Sequence, residues 1–322
     1  GFFRGKQINL IVGYGPGGGY DSYARLIARH IGRFIPGRPT VVIQNMPGAG
    51  SLVATNYLYR LAPRDGTTFG TFARNMPLVG LLGTKQNVQF DPRKFGWLGS
   101  SSSFEHDAYV LLVSKAAKAK SIDDLKHQGG VPLVIGSTAE GSSSDAIPAM
   151  LRDLAGLNVR AIAGYTDSSQ LFLAMERGEI EGRTVGLSAV RANKPGWLAA
   201  NGPMRVLLVI GRATRHPDYP DVPTARELAI GERERRLIEA IELPYKVSRP
   251  YAAPPGLPPE RLKTLQDAFI AVHDDAKFRQ EAAKSGLDLS PIGAGQVMEL
   301  IEQVASIPPA QLKAIEQLIR SK

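Results

Sequence analysis

The chain has 322 residues, 39 Lys and Arg against 30 Asp and Glu, and a formal charge of +9. It contains no cysteine, which excludes disulfides, thiolate nucleophiles and cysteine-ligated zinc. Its longest apolar runs, such as Val206 to Ile210, fall far below the ~18 residues of a membrane span. The excess charge is local: residues 1–105 carry 12 basic and 4 acidic side chains, 106–242 carry 17 of each, and 243–322 carry 10 and 9. That fits either a solvated basic surface or attraction of an anionic small molecule. No Lys/Arg block exceeds three residues and aromatics do not interleave with the basic ones, so nucleic acid is not an expected partner.

The chain opens at Gly1-Phe2-Phe3-Arg4, with neither an initiator Met nor a signal-type apolar stretch. That is expected of a trimmed cytoplasmic protein or of a mature exported one whose leader was removed. Gln7 to Val12 reads as a buried strand, followed by the glycine-rich turn Gly13 to Gly19. Tyr23, Leu26, Ile27, His30, Ile31 and Phe34 then recur at helical spacing, with Asp21 or Ser22 placed to cap. Pro36-Gly37 ends that helix, and Thr40 to Ile43 is a second strand. The pattern repeats with the loop Met46 to Ser51, a helix through Leu52, Ala54, Leu58 and Leu61, and a strand from Thr67 to Ala73. Near residue 106 a second region begins with the strand Asp107 to Val113. It has its own unit, Leu133-Val134-Ile135, the loop Gly136 to Ser144, and a helix through Ile147, Met150, Leu151 and Leu154. Further strands are expected at Ala161-Ile162, Arg183 to Val185 and Arg205 to Ile210. Arg249 to Pro255 reads as a connector, followed by helical stretches over 259–285 and 295–319. Strands alternating with helices in two Gly-rich units predict two α/β lobes.

Gly13-Tyr14-Gly15-Pro16-Gly17-Gly18 fits G-x-G-x-x-G between a strand and a helix, the context of a dinucleotide fingerprint. The second strand, however, ends in Gln44-Asn45 where an acid should hold the ribose, and Pro16 stiffens the turn. A P-loop is absent, since no Gly-Lys-Ser/Thr follows. What remains is backbone N–H groups at a helix start, bared by glycine, which suit a carboxylate as well as a phosphate. Gly136 to Ser144 builds a second such loop with added hydroxyls. No catalytic or metal constellation is expected. The histidines (His30, His106, His127, His216 and His273) lack ligand spacing, and no G-x-S-x-G elbow occurs. Glu176, Glu179 and Glu181 read as a solvated face.

These loops resemble the receptors of tripartite tricarboxylate transporters, the Bug-type solute-binding proteins. The matching residues are Pro16-Gly17-Gly18-Gly19-Tyr20-Asp21, then Ile43-Gln44-Asn45-Met46-Pro47-Gly48-Ala49-Gly50, then Pro63-Arg64-Asp65-Gly66. The resemblance continues at Ser137 to Ser143, Gly164-Tyr165, Asp221 to Thr224 and Ala253 to Pro258. It implies a two-lobed Venus-flytrap periplasmic binding protein fold (type II-like), each lobe a mainly parallel sheet flanked by helices. The first lobe is expected to hold 1–105 and 250–322 and the second 106–249, with crossings near 105 and 248. The resemblance further implies a periplasmic monomer that binds a small organic carboxylate without a cofactor or metal and delivers it to the transporter's membrane subunits.

The ligand contacts it implies are Tyr14, Gly17, Gly18, Gly19, Tyr20 and Asp21, then Arg74 and Asn75 with Ala73. In the second lobe they are Ser137, Gly141, Ser142 and Ser143, and then Tyr165, Thr166 and Asp167. The chain departs from the family pattern at Tyr165-Thr166-Asp167-Ser168, at Glu181 with Arg183-Thr184, and in the charged segment Arg233 to Glu242. Arg74 and Arg183 fall in loops of opposite lobes and are expected to clamp an acidic ligand, since the guanidinium fork matches a carboxylate. The competing reading is a nucleotide-dependent α/β oxidoreductase using the Gly13–Gly18 loop, and a third is a metabolite sensor.

Overall fold

The computed structural model describes residues 1–82, 87–126, 130–138 and 142–320. β1 (Gln7–Val12) passes through α1 (Gly19–His30) to β2 (Thr40–Asn45), its parallel neighbour. α2 (Leu52–Arg60) then leads to β3 (Thr68–Thr71), parallel to β1 on its other side. α3 (Met76–Leu82) and β4 (Gly96–Ser100) follow. The chain then crosses to a second sheet. Its elements are β5 (Tyr109–Ser114), α4 (Ile122–Leu125), β6 (Leu133–Gly136), α5 (Ser143–Asp153) and β7 (Val159–Ile162). They continue with α6 (Ser168–Glu176), β8 (Gly182–Gly186), α7 (Leu187–Asn193), β9 (Met204–Ile210) and α8 (Glu232–Glu242). The return brings β10 (Pro250–Ala253), α9 (Pro259–Asp274), α10 (Ala276–Lys284), β11 (Ile292–Gly293), α11 (Ala294–Ala305) and α12 (Pro309–Arg320).

The strand orders are β11-β4-β10-β3-β1-β2 and β7-β6-β8-β5-β9. Each sheet buries both faces, as successive side chains of one strand show. Tyr109, Leu111 and Val113 of β5 enter one core while Val110 and Leu112 enter another. Leu98 and Trp97 of β4 divide in the same way. Each such leucine or valine withdrawn from water contributes about 1.5–3 kcal/mol.

Five features differ from the sequence expectations. First, the sheets are mixed: β1/β2, β1/β3, β6/β7 and β6/β8 are parallel, whereas β10, β4 and β11 pair antiparallel, as does β5 with both neighbours. Second, the expected connector contains β10, buried between β3 and β4 with Tyr251, Ala252 and Ala253 fully inaccessible. Pro250 heads that strand, a position where proline is tolerated. Third, the two long C-terminal helices are each broken. Asp275 leaves helical geometry, and its carboxylate caps α10 by accepting from Phe278 N at 3.0 Å. Pro308 biases Ile307 away from the helical region and separates α11 from α12. Fourth, α12 buries Ile315 and Leu318 in a core of the second sheet, although the sequence assigns residues 250–322 to the first lobe. An amphipathic helix goes where its apolar stripe finds a partner. Fifth, Leu61 lies beyond the end of α2 and is 75% exposed.

The two crossings between the sheets run side by side. Ser101 N donates to Arg249 O and Ser248 N to Ser102 O, both at 3.0 Å. Arg212 ties the first crossing down by donating from Nη1 to the carbonyls of Phe104, Glu105 and Asp107.

Candidate functional site

Residues following β1, β3 and β6, together with β8 and the start of α7, enclose a cavity of about 60 Å³ between the two sheets. Open α/β sheets bind ligands at this carboxyl edge. The lining residues are Tyr14, Gly18, Gly19, Tyr20 and Arg74 from the first sheet's loops, and Tyr109, Thr138, Ser144, Ser168, Arg183, Val185, Gly186 and Ala189 from the second. Arg249, on the crossing, completes the wall. An outer chamber of about 260 Å³ shares Tyr14 and Thr138 with it and adds Pro47 to Ser51, Gly164, Tyr165 and Thr166.

Arg74 is 3% exposed and stands in a cage of rings, 4.9–5.7 Å from the centroids of Tyr109, Phe104, Tyr245 and Tyr20. Its Nε donates to Tyr20 Oη at 3.1 Å, and its Nη1 has no hydrogen-bond partner among the described residues. Tyr20 in turn stacks on Tyr14, with ring centroids 5.0 Å apart. Arg183 is also 3% exposed, lies over Phe172 at 4.6 Å and donates from Nη1 to Ser168 O at 2.8 Å. Its Nε has no partner among the described residues. Burial pulls its pKa down to about 10, a shift that Tyr109 and Asp167 only partly oppose. It is therefore a cation at neutral pH, held at a cost.

Two helices begin at the cavity without a side-chain cap: α1 after Gly18 and α5 after Ser142. Their first N–H groups are left for another acceptor. Beside the start of α5, the hydroxyls of Thr138, Ser142 and Ser144 form a cluster with spacings of 2.8–3.1 Å.

Of the residues expected at the ligand, Tyr14, Gly18, Gly19, Tyr20, Arg74 and Arg183 line the inner cavity, and Tyr165 and Thr166 the outer one. Asn75, Ser137 and Ser142 are buried outside the inner lining. Gly141 lies outside the described residues, as does the side chain of Ser143.

Asp21 does not cap α1, which starts two residues earlier. Its buried carboxylate accepts from Gly17 N at 2.9 Å, Asn45 Nδ2 at 2.9 Å and Arg25 Nε at 2.8 Å. Burial raises its pKa, but the bonds from Arg25, Asn45 and Gly17 outweigh burial and hold it below the usual carboxylate range. Asp167 caps α6, accepting from Ser169 N and Gln170 N. Glu181, read as part of a solvated face, accepts from Val134 N at 2.9 Å.

The fingerprint-like loop meets the second lobe. Cβ atoms on Gly15 and Gly17 would lie 2.7 Å from Asp167 Oδ2 and 2.6 Å from Ser169 Oγ, and Gly17 has φ +87°. Ser169 Oγ donates across the cleft to Pro16 O at 3.0 Å. These glycines admit the opposite lobe.

Arg249, Tyr109, Thr138 and Ser144 were not named as ligand contacts from the sequence, whereas Ser168 belongs to the loop Gly164 to Ser168 that the resemblance places at the cleft. Thr138 and Ser144 lie in the glycine–serine loop already marked. Arg249 had only its place next to an expected crossing.

Comparison with known proteins follows the same lines. The model of the tripartite tricarboxylate transporter family receptor, TctC, matches residues 24–315. A UPF0065 protein from the gbd 5' region of Cupriavidus necator is 26% identical over 295 residues, 90% of this chain and 80% of the relative. BugT of Bordetella pertussis is 26% identical over 235 residues, 71% and 68% of the two chains. Among solved structures, the periplasmic binding protein BugD superposes with a TM-score of 0.75 at 17% identity, covering 98% of both chains. MatC of Rhodopseudomonas palustris, solved with malate, gives 0.73 at 18% identity over 99% of this chain and 100% of MatC. An R. palustris protein solved with adipate gives 0.74 at 21% identity over 98% and 97%.

Proposed function

This chain belongs to the tripartite tricarboxylate transporter receptor family, and from that premise we propose that it is a periplasmic receptor that captures a small organic carboxylate between its lobes. It hands the ligand to the membrane subunits of a tripartite transporter and does no chemistry on it. The observation that carries this reading is the convergence of Arg74 and Arg183 from opposite sheets on one cavity, with no carboxylate of the described residues paired to either. Each presents donors that an anion would satisfy, and the uncapped starts of α1 and α5 add N–H groups of the same sense. MatC and the other R. palustris protein were solved with malate and adipate, both small organic acids. Among the described residues no helix is long and apolar enough to cross a membrane.

Capture works by hinge closure about the paired crossings, with the Ser169–Pro16 contact joining the lobes once they meet. A thermal-shift screen with dicarboxylates, aromatic acids and NAD(P) tests the assignment. Stabilisation by organic acids is expected, and stabilisation by NAD(P) alone would overturn it in favour of the oxidoreductase.

A further inference from the structure

Arg249 stands on the second crossing, one residue before β10, and is 2% exposed. Its guanidinium lies 5.0 Å from the ring centroids of both Tyr20 and Tyr23. Nη1 donates to Ser248 O at 2.9 Å, and Nε has no partner among the described residues. Two glycines on opposite sides of the cleft make room for the fork. A Cβ on Gly19, at the start of α1, would sit 3.0 Å from Nη2, and one on Gly186, at the end of β8, would sit 2.9 Å from it. A large, fully charged side chain is thus seated where both lobes and the crossing meet.

Arg74, Arg183 and Arg249 line the same cavity, and each is at most 3% exposed. None has an ion-pair partner among the described residues, and each keeps a buried N–H donor without an acceptor. The buried acids of the surrounding loops are engaged elsewhere. Asp21 holds Gly17, Asn45 and Arg25, while Asp107 accepts from Ala108 N and from the backbone N and Oγ of Ser188. The aromatic rings temper three buried cations but do not neutralise them. One carboxylate can accept from three donors but brings a single negative charge, which leaves two of the three guanidinium charges uncompensated.

We propose that Arg249 is a specificity-determining residue of this site: with Arg74 and Arg183 it selects a ligand bearing two or more acidic groups over a monoacid of the same length. The inference rests on the receptor reading above. Arg249 acts from the hinge, so the second acidic group is read where closure is completed.

The test is calorimetry on the wild type, Arg249→Gln and Arg249→Lys. Each diacid active in the screen is titrated against its own monomethyl ester, with adipate and succinate as first probes. The wild type should prefer the diacid on the order of 100-fold, because the ester leaves a buried donor unpaired. Arg249→Gln should shrink that preference to less than about fivefold, and the unliganded variant should melt no lower than the wild type, since a buried unpaired charge has gone. Arg249→Lys keeps the charge without the fork and should fall between them. If Arg249→Gln does not fold, Arg249→Lys decides alone: a reduced preference supports the proposal and an unchanged one overturns it. Equal binding of diacid and monoester by the wild type overturns the charge selection but leaves the receptor reading standing. If no acid of either charge binds, the receptor reading fails and this proposal fails with it.

Discussion

Asp21 provides a sharp test of whether the first glycine-rich loop is held by its own side chains or by the ligand. Its carboxylate is 2% exposed and accepts three bonds of 2.8–2.9 Å, from Gly17 N, Asn45 Nδ2 and Arg25 Nε. Asp21→Ala leaves the Gly17 N–H and one of the two Asn45 Nδ2 hydrogens without an acceptor, at about 1–3 kcal/mol each, while Asn45 keeps its 2.9 Å bond to Tyr14 O. The Arg25 partner is 45% exposed and rehydrates, so its loss adds at most ~1 kcal/mol. A total near 3 kcal/mol is expected, which for a chain of this size lowers Tm by roughly 4–5 °C. Asp21→Asn should recover only part of this, because its NH2 meets a donor where an oxygen stood. The folded-state pKa is depressed, so this stabilisation is present above the ordinary carboxylate pKa and is lost as pH falls through the lowered one. Urea titration with an unchanged m-value, alongside calorimetric binding, separates the roles. A variant that melts within ~1 °C of the wild type but no longer binds would refute the loop-bolt reasoning and return Asp21 to the ligand.

Replacing Arg74 or Arg183 by Met should weaken binding of the preferred acid by on the order of 30-fold or more each, measured by calorimetry; unchanged affinity in both would end the clamp assignment. His273, 1% exposed with Nε2 2.9 Å from Ser101 Oγ, has its pKa lowered to about 4 by burial. Protons therefore favour the unfolded chain between about pH 4 and 6.5, and up to roughly 3 kcal/mol is present above that window and lost on acidification through it. His273→Gln should flatten the stability profile there, and an unaltered profile would assign the acid sensitivity to other groups. Ile315→Ala should cost about 2–5 kcal/mol in urea melts, as α12 lies in the second core; a cost under ~1 kcal/mol would show that the helix is not fastened there.

Local pattern made much of this molecule legible. The first strand, the bared helix start after Gly18 and the second glycine–serine loop are each written in consecutive residues, because backbone geometry and period-2 or 3.6 burial act over short spans. Arg74 was recognisable for the same reason, as a cation in the loop after β3, whereas Arg183, expected in a loop, lies within β8, paired with Leu112 and Gly136. β10 was not, because a four-residue strand buried on both faces and flanked by prolines has no periodicity to show.

The sequence by itself determined the class of fold, the two glycine-bared helix starts, the absence of thiol chemistry and a positive excess in the first third. Only the tertiary structure decided which of the chain's cations line the cavity, and of Arg74, Arg183 and Arg249 just one belongs to that first third. Arg249 joins the cavity because two crossings far apart in sequence pair side by side, Ser101 with Arg249 and Ser102 with Ser248. Asp21 became a bolt for the loop because Asn45 and Arg25 reach it, and α12 returned to the second lobe because its apolar stripe is covered there. Charge and hydrophobicity are properties of residues. Whether a charge is paired, and which apolar face is covered, depend on distances that exist only once distant segments have packed together.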